Sequence, residues 1–489
     1  MSLAEKTNEW EHYAQLNKSG AELLLKQAKA ESSAGDNEAA EATLALALRE
    51  DPSLLTLYNE IGRLYAEKGE SKASERCFHG FLPDSYINKH FSQSYTHSDV
   101  FKPGSDLRDK MRALSEPLSR TRSVVYEHEG YVRHYCAVEA KRSIAKPTSL
   151  VPTTDSLFKS SELKSSVALV DKIPNGKLWF DGFNRMALDE SEKVIEPHTR
   201  GSTELLHAIC HEIQPYRVKG RCFLIGNRGF NNFCHWMVDI LPSIGLFQQS
   251  GLTFNSSDRF IVQNLDSKFQ RASLHHFGIR DEQIIEVSKQ STYIQADELI
   301  IPFFSNAMSK TMGSWIPKFL KSSFLKKSSL LRFTNPSPVK AKKIYLARPK
   351  DARNGRGIPN EPQLIEHLEK RGFVAVKPED YSISEQAEIF AQADVLIAAH
   401  GAALTSIVFC RPGTSIIELY GDYMASSFWA ASAICGLHYL NHYCGSAAEF
   451  ADADSHEFIH ELRKKGFTVD MDEIDKLLDL EEDTHPRSY

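Results

Sequence analysis

Residues 393–404 read Ala393-Asp394-Val395-Leu396-Ile397-Ala398-Ala399-His400-Gly401-Ala402-Ala403-Leu404. An apolar run with no polar alternation is the pattern of a strand buried on both faces, as in parallel sheets. The run ends in a turn of small residues and a helix is expected to follow. The helix N–H groups and dipole would then face a point just beyond the strand, where a phosphate can bind. His400 offers a further donor, and Gly401, Ala402, Ala403 and Leu404 form a turn narrow enough for a diphosphate to approach.

Similar units flank this one. Strands are expected at Lys343–Ala347, Val374–Lys377 and Ser415–Tyr420, with helices at Glu361–Arg371 and Ser384–Gln392. Glu418 falls at a strand end, where a carboxylate suits ribose hydroxyls. Asn335-Pro336-Ser337-Pro338 reads as a linker, because each proline bars helix continuation. Upstream lies a second β-rich series, at Ser123–Tyr126, Ala168–Val170, Leu178–Phe180, Arg221–Ile225, Arg259–Val262 and Glu298–Pro302. It alternates with helical stretches at Glu204–Glu212 and Asn232–Gln249. This alternation predicts an α/β class with two Rossmann-like domains facing a cleft, the usual place for a ligand.

The N-terminus differs. Gly35-Asp36 recurs as Gly69-Glu70, Ala39 as Ala73 and Leu44 as Phe78, and Asp51-Pro52 closes the first unit. That spacing resembles the tetratricopeptide repeat and predicts an all-α repeat module, either a partner-binding groove or a helical cap. The expected domains are 1–90 (helical module), 91–335 (N-terminal Rossmann-like domain), 336–455 (C-terminal Rossmann-like domain) and 456–489 (C-terminal helix and acidic tail).

The chain has 489 residues, too many for one core, and a net charge of −6, which gives no global reason to expect nucleic acid. The eight cysteines are scattered, with no Cys-x-x-Cys pair and no secreted-type framework, which fits a reducing compartment. No signal peptide or spanning window is evident, so the expected location is cytoplasmic, or peripheral at the inner face of a membrane. Residues 310–330 are the candidate for such contact: Met312, Trp315, Ile316, Phe319, Leu320 and Phe324 recur at helical spacing beside Lys318, Lys321, Lys326 and Lys327.

Two further groups carry chemistry. Arg348 follows a strand, and Arg353 and Arg356 lie on the next loop; guanidinium groups bond phosphate oxygens bidentately and offset charge on a diphosphate leaving group. Asn360-Glu361 belongs to the same block and also reads as the start of a helix with Asn360 as its cap. His235 and Asp239, four apart on one helix, project from one face; the pair or the carboxylate alone would serve as base toward an attacking hydroxyl. Metal-type spacings are discounted: Asp452-Ala453-Asp454 and Asp470-Met471-Asp472 lie in the acidic tail, and His207, Cys210 and His211 lack a fourth ligand.

Three blocks together, Asn232-Phe233-Cys234-His235-Trp236-Met237-Val238-Asp239-Ile240-Leu241-Pro242, Arg348…Arg353…Arg356…Asn360-Glu361, and His400-Gly401-Ala402-Ala403-Leu404…Glu418, resemble glycosyltransferase family 61 over about residues 120–450. The resemblance implies a GT-B fold, a nucleotide-sugar donor, commonly a UDP-sugar, and an inverting transfer to a glycan hydroxyl without metal or other cofactor. Cell-surface polysaccharide synthesis is the implied setting. The arginine block, Asn360, Glu361, the 400–404 turn and Glu418 would bind the donor, with Asp239 and His235 catalytic. The rivals are a non-catalytic repeat-bearing adaptor and a nucleotide-dependent oxidoreductase; the missing glycine fingerprint speaks against the second.

Overall fold

In a computed structural model, four second-unit strands are the ones expected, β13 (Lys343–Leu346), β14 (Phe373–Val376), β15 (Val395–Ala399) and β16 (Ser415–Tyr420), and a fifth that the sequence did not announce, β17 (His438–Tyr443), mixes polar and aromatic residues. The structure describes residues 20–50, 54–78, 82–90, 124–150, 161–180, 184–200, 206, 210, 214–226, 231–287, 292–304, 311–331, 339–348, 357–421, 425–444 and 466–486. The chain divides into two units, one of 1–136, 168–231 and 246–303, the other of 137–167, 232–245 and 304–489.

In the second unit the strand order is β14-β13-β15-β16-β17, with β4 (Thr148–Ser149) added beside β17, and every pairing is parallel. Numbered from the first strand, this is the doubly wound order 2-1-3-4-5, in which the winding direction reverses between the strands here called β13 and β15. β15 and β16 are buried along their whole length, which explains the unbroken apolar text of β15 and the apolar run Ile416-Ile417 in β16. Helices α9 (Glu361–Lys370) and α12 (Met471–Thr484) cover one face: Leu364, Leu368, Ile474, Leu477 and Leu478 pack with Tyr345, Ile397 and Ile417. Each such aliphatic side chain contributes roughly 1.5–3 kcal/mol. Helices α8 (Trp315–Leu331), α10 (Ile383–Gln392) and α11 (Ser427–Cys435) pack around a 3-10 segment, Ala402–Phe409. A capping box starts α10, where Ser382 Oγ accepts from Glu385 N and Glu385 Oε2 from Ser382 N, and Gly436 at φ 69° ends α11.

The stripe that suggested membrane contact is core instead. Met312, Trp315, Ile316, Phe319, Leu320 and Phe324 are all buried, and Phe324 meets Phe409 edge-on at 6.2 Å. No helix among the described residues is long and apolar enough to cross a membrane.

The first unit has a sheet ordered β1-β2-β6-β12-β9-β10-β11, formed by Val124–His128, Tyr131–Glu139, Ser166–Pro174, Thr292–Phe304, Tyr216–Ile225, Arg259–Gln263 and Ile284–Val287. β12, β9, β10 and β11 are parallel, as alternation with helices predicts. β7 (Lys177–Phe180) and β8 (Arg185–Leu188) depart from it, being antiparallel because a tight turn at Asn175-Gly176 precedes β7 and only a short connection joins the two. The protein is thus mixed α/β with parallel sheets. Of the expected helix Glu204–Glu212 only residues 206 and 210 are described, and the proline linker 335–338 lies outside the described residues.

The N-terminal helices, 20–33, Asn37–Glu50, Leu55–Glu67, Ser71–Phe78 and Asp84–His90, enclose a core of their own. Gly35 and Gly69 adopt φ 85° and 79°, and the bonds Asp36 N to Glu31 O and Glu70 N to Tyr65 O recur with them, each 3.0 and 2.9 Å. The spaced glycines therefore mark equivalent helix ends, where only glycine turns left-handed without strain.

Candidate functional site

The reversal of winding sets the site. Where the chain leaves one strand in one direction and the neighbouring strand in the other, the loops part at the C-terminal ends and leave a crevice. Arg348 ends the segment after β13, and His400-Gly401 ends β15. The backbone N of Arg348 donates to Glu361 Oε1 at 2.9 Å, and its Nη2 donates to the carbonyl of His400. A side chain on residue 401 would put its Cβ 3.4 Å from that nitrogen, so the guanidinium lies close against the turn. The segment after Gly401 is a 3-10 helix rather than the expected α-helix, with Leu404 N bonded to Gly401 O at 3.0 Å. β-Branched Thr405, Ile407 and Val408 crowd a regular α-turn, and the tighter helix still leaves its first N–H groups without intrahelical acceptors.

Behind this turn lies a buried polar chain. His400 Nδ1 meets Glu418 Oε1 at 2.5 Å, Tyr439 donates to Glu418 Oε2 at 2.5 Å, and the hydroxyls of Tyr439 and Tyr420 are 3.0 Å apart. The His400 ring stacks on Tyr420, with centroids 5.3 Å apart. Glu418 is fully buried with both oxygens engaged inside the protein, so the ribose contact expected of it is replaced by a bond that fixes the orientation of His400. Burial, and then Glu418, push the Tyr439 hydroxyl far above its ordinary value, which keeps it a donor.

His235 and Asp239 come together as their spacing predicts, at 2.7 Å between Nδ1 and Oδ2, the histidine side chain 30% exposed and the aspartate 2%. The local helix is not uniform: a turn at Phe233–His235 is followed by a π-helical turn at Trp236–Ile240, closed by Leu241 N to Trp236 O at 2.9 Å. Pro242 has no N–H and its ring would clash with the carbonyl of Val238; widening the preceding turn relieves this. Asn232 caps the start through Cys234 N at 2.8 Å. This turn packs on the 3-10 segment, and burial pushes the Cys234 thiol up to about 12.

Other expected donor residues are placed differently. Asn360 holds Val469 through both its amide N and its carbonyl O, at 2.7 and 3.1 Å, so it fastens the C-terminal segment. Glu361 accepts from Tyr345 as well as from Arg348 N. Ala402 and Ala403 are half-buried, whereas Leu404 is core. Arg353 and Arg356 lie outside the described residues, as do Asp452, Asp454, His207 and His211. Asp470 caps α12 through Asp472 N and Glu473 N, and burial pushes the Cys210 thiol well up. Tyr439 and Tyr420 escape a sequence reading, since an aromatic in a buried strand looks like core.

Residues 233–417 match the sequence model of Glycosyltransferase 61. A stretch of 110 residues is 30% identical to an EGF domain-specific O-linked N-acetylglucosamine transferase of Gallus gallus, covering 22% of this chain and 20% of that protein. The chain thus spans about a fifth of the length of the curated relative it matches. The matched segment is that of a glycosyltransferase, and it contains His235, Asp239, Arg348, the 400–404 turn and the first half of β16, ending at the residue before Glu418.

Proposed function

We propose that this protein is an inverting GT-B glycosyltransferase that moves a sugar from a nucleoside diphosphate donor, uridine diphosphate in the first instance, to an acceptor hydroxyl without metal. The observation that carries this reading is the Arg348 guanidinium held against the His400-Gly401 turn at the point where the strand order reverses. The donor diphosphate would lie on Arg348 and the first N–H groups of the 3-10 segment, with His400 held by Glu418 as a further donor. In the transfer the acceptor oxygen bonds to the anomeric carbon from the face opposite the diphosphate. The bond from that carbon to the phosphate oxygen breaks, and the diphosphate departs with its electron pair. Positive charge fixed in advance stabilises the dianion that develops.

The hydroxyl proton passes to Nε2 of His235. Asp239, bonded to Nδ1, holds the ring and stabilises the imidazolium that forms, the division of labour of a carboxylate–histidine pair. The name of the chicken relative favours a protein hydroxyl and N-acetylglucosamine, and the family resemblance favours a cell-surface glycan. The helical module would recruit a partner or acceptor, and a cytoplasmic setting belongs to the same reading.

Calorimetric titration with uridine diphosphate in the presence of chelator tests the donor site; binding that disappears with the chelator overturns the metal-free reading. The stereochemistry of the product, read by NMR, tests inversion. A protein that neither binds nor hydrolyses any of a panel of nucleotide sugars would be a repeat-bearing adaptor instead.

A further inference from the structure

Asn360 stands at the N-cap of α9, where asparagine ordinarily accepts from the second or third helical N–H, yet its side chain makes no cap bond. Both amide atoms go elsewhere: Nδ2 donates to Val469 O at 2.7 Å and Oδ1 accepts from Val469 N at 3.1 Å. Two residues before Val469, Phe467 N donates to Gly357 O at 3.2 Å. Residues 467–469 therefore lie along residues 357–360 like a short strand, with the Asn360 side chain standing in for a second backbone. The start of α9 gives up its own cap to hold this strap.

What the strap steadies is the seat of Arg348. Glu361, next to Asn360 and first in α9, accepts from Arg348 N and from the Tyr345 hydroxyl through one oxygen, both at 2.9 Å. Burial and then Glu361 push the Tyr345 hydroxyl well above its ordinary value, so it stays a donor. A shift of Asn360 moves the first residue of α9, and with it the carboxylate on which the Arg348 backbone is set. The strap also meets the end of β16. A Cβ on Gly421 would lie 2.4 Å from the Phe467 ring, and Gly421 follows Tyr420, whose ring stacks on His400.

We propose that Asn360 is a positioning residue of the donor site: by gripping Val469 it sets Glu361, and through Glu361 the place of the Arg348 guanidinium that receives the diphosphate. This role rests on the donor reading, in which Asn360 itself touches no substrate. Members of one hydrogen-bonded network are energetically coupled, so loss of the grip is felt at Arg348.

The test uses the full chain, with uridine diphosphate affinity from calorimetry and hydrogen exchange at the Arg348 backbone amide from fragment mass spectrometry. N360A should weaken uridine diphosphate binding by the folded protein about tenfold and speed exchange at that amide by a similar factor. N360D, which still accepts from Val469 N but no longer donates to Val469 O, should fall between. In an R348A background N360A should cost nothing further, because the guanidinium through which it acts is gone. A purely structural Asn360 would lower the denaturation midpoint and leave the affinity of the folded protein at the wild-type value, and that result overturns the proposal. So does an equal loss of affinity in the R348A background, or unchanged exchange in N360A. If circular dichroism shows N360A unfolded, N360D and G421A, which crowds Phe467, carry both readings. Wild type that binds no uridine diphosphate, while N360A still frees the Arg348 amide, would remove the donor reading and leave the link from Asn360 to Arg348 standing.

Discussion

His235 Nδ1 lies 2.7 Å from Asp239 Oδ2, and the aspartate is almost wholly buried while the histidine is not. The exposed partner is the one that can meet a hydroxyl, so His235→Ala should lower turnover by roughly 10²–10⁴ with nucleotide affinity near wild type. Asp239→Asn should slow transfer as well, because a carboxamide no longer fixes the tautomer or stabilises the imidazolium. Turnover and calorimetry on both variants check this; wild-type turnover in His235→Ala would send the search for a base elsewhere.

Arg348→Ala should weaken uridine diphosphate binding by about 1.5–3 kcal/mol, the worth of a hydrogen bond to a charged group, and slow transfer in step. Arg348→Lys should recover only part of this, since an ammonium cannot both hold the His400 carbonyl and fork onto a phosphate. Affinity equal to wild type in Arg348→Ala would remove this residue from the donor site.

Glu418→Gln tests the buried chain behind the turn. A carboxamide accepts through one atom and donates through the other, so it cannot serve both His400 and Tyr439 as the carboxylate does. Stability should fall by about 1–3 kcal/mol, the cost of an unmade buried bond. Tyr439→Phe should cost less and leave nucleotide binding closer to wild type. Chemical denaturation followed by tryptophan fluorescence reads the first effect, and an unchanged midpoint would show that the chain is not holding the turn.

His198 predicts a pH dependence. Burial holds its folded value at about 4, below the ordinary histidine value, so the unfolded chain binds the proton more readily. The associated stability is present above about pH 6.5 and is lost as pH falls toward 4, on the order of 3 kcal/mol in all. Thermal melting of wild type and His198→Gln between pH 7 and 4.5 should show a shallower fall in the variant. Parallel curves would mean that another group dominates.

Much of the second sheet was legible because its strands are buried on both faces; Ser415–Tyr420 reads as a strand to the residue. The approach of His235 to Asp239 was legible too, as a four-residue spacing on one helix. The π-helical turn between them was not, because apolar periodicity does not report a single wide turn, although Pro242 supplies its cause. The bonds of Glu418 depend on the register that sets β17 beside β16, which no local pattern encodes. Asn360 was legible only as a choice between cap and ligand; its actual partner, Val469, lies on a segment far along the chain.

β4 comes from residues 148–149, and the strand it joins is 438–443. At about 5–20 residues per second, the ribosome needs roughly 15–60 s between the two. For that interval the earliest part of the second unit waits without its neighbour, and the His235 turn, made midway, waits as well. A fragment cut at the proline linker would lack both. Expression of the later residues alone should therefore yield an incomplete sheet with an open edge prone to association, and slowing the last stretch of translation should hurt yield more than slowing the first.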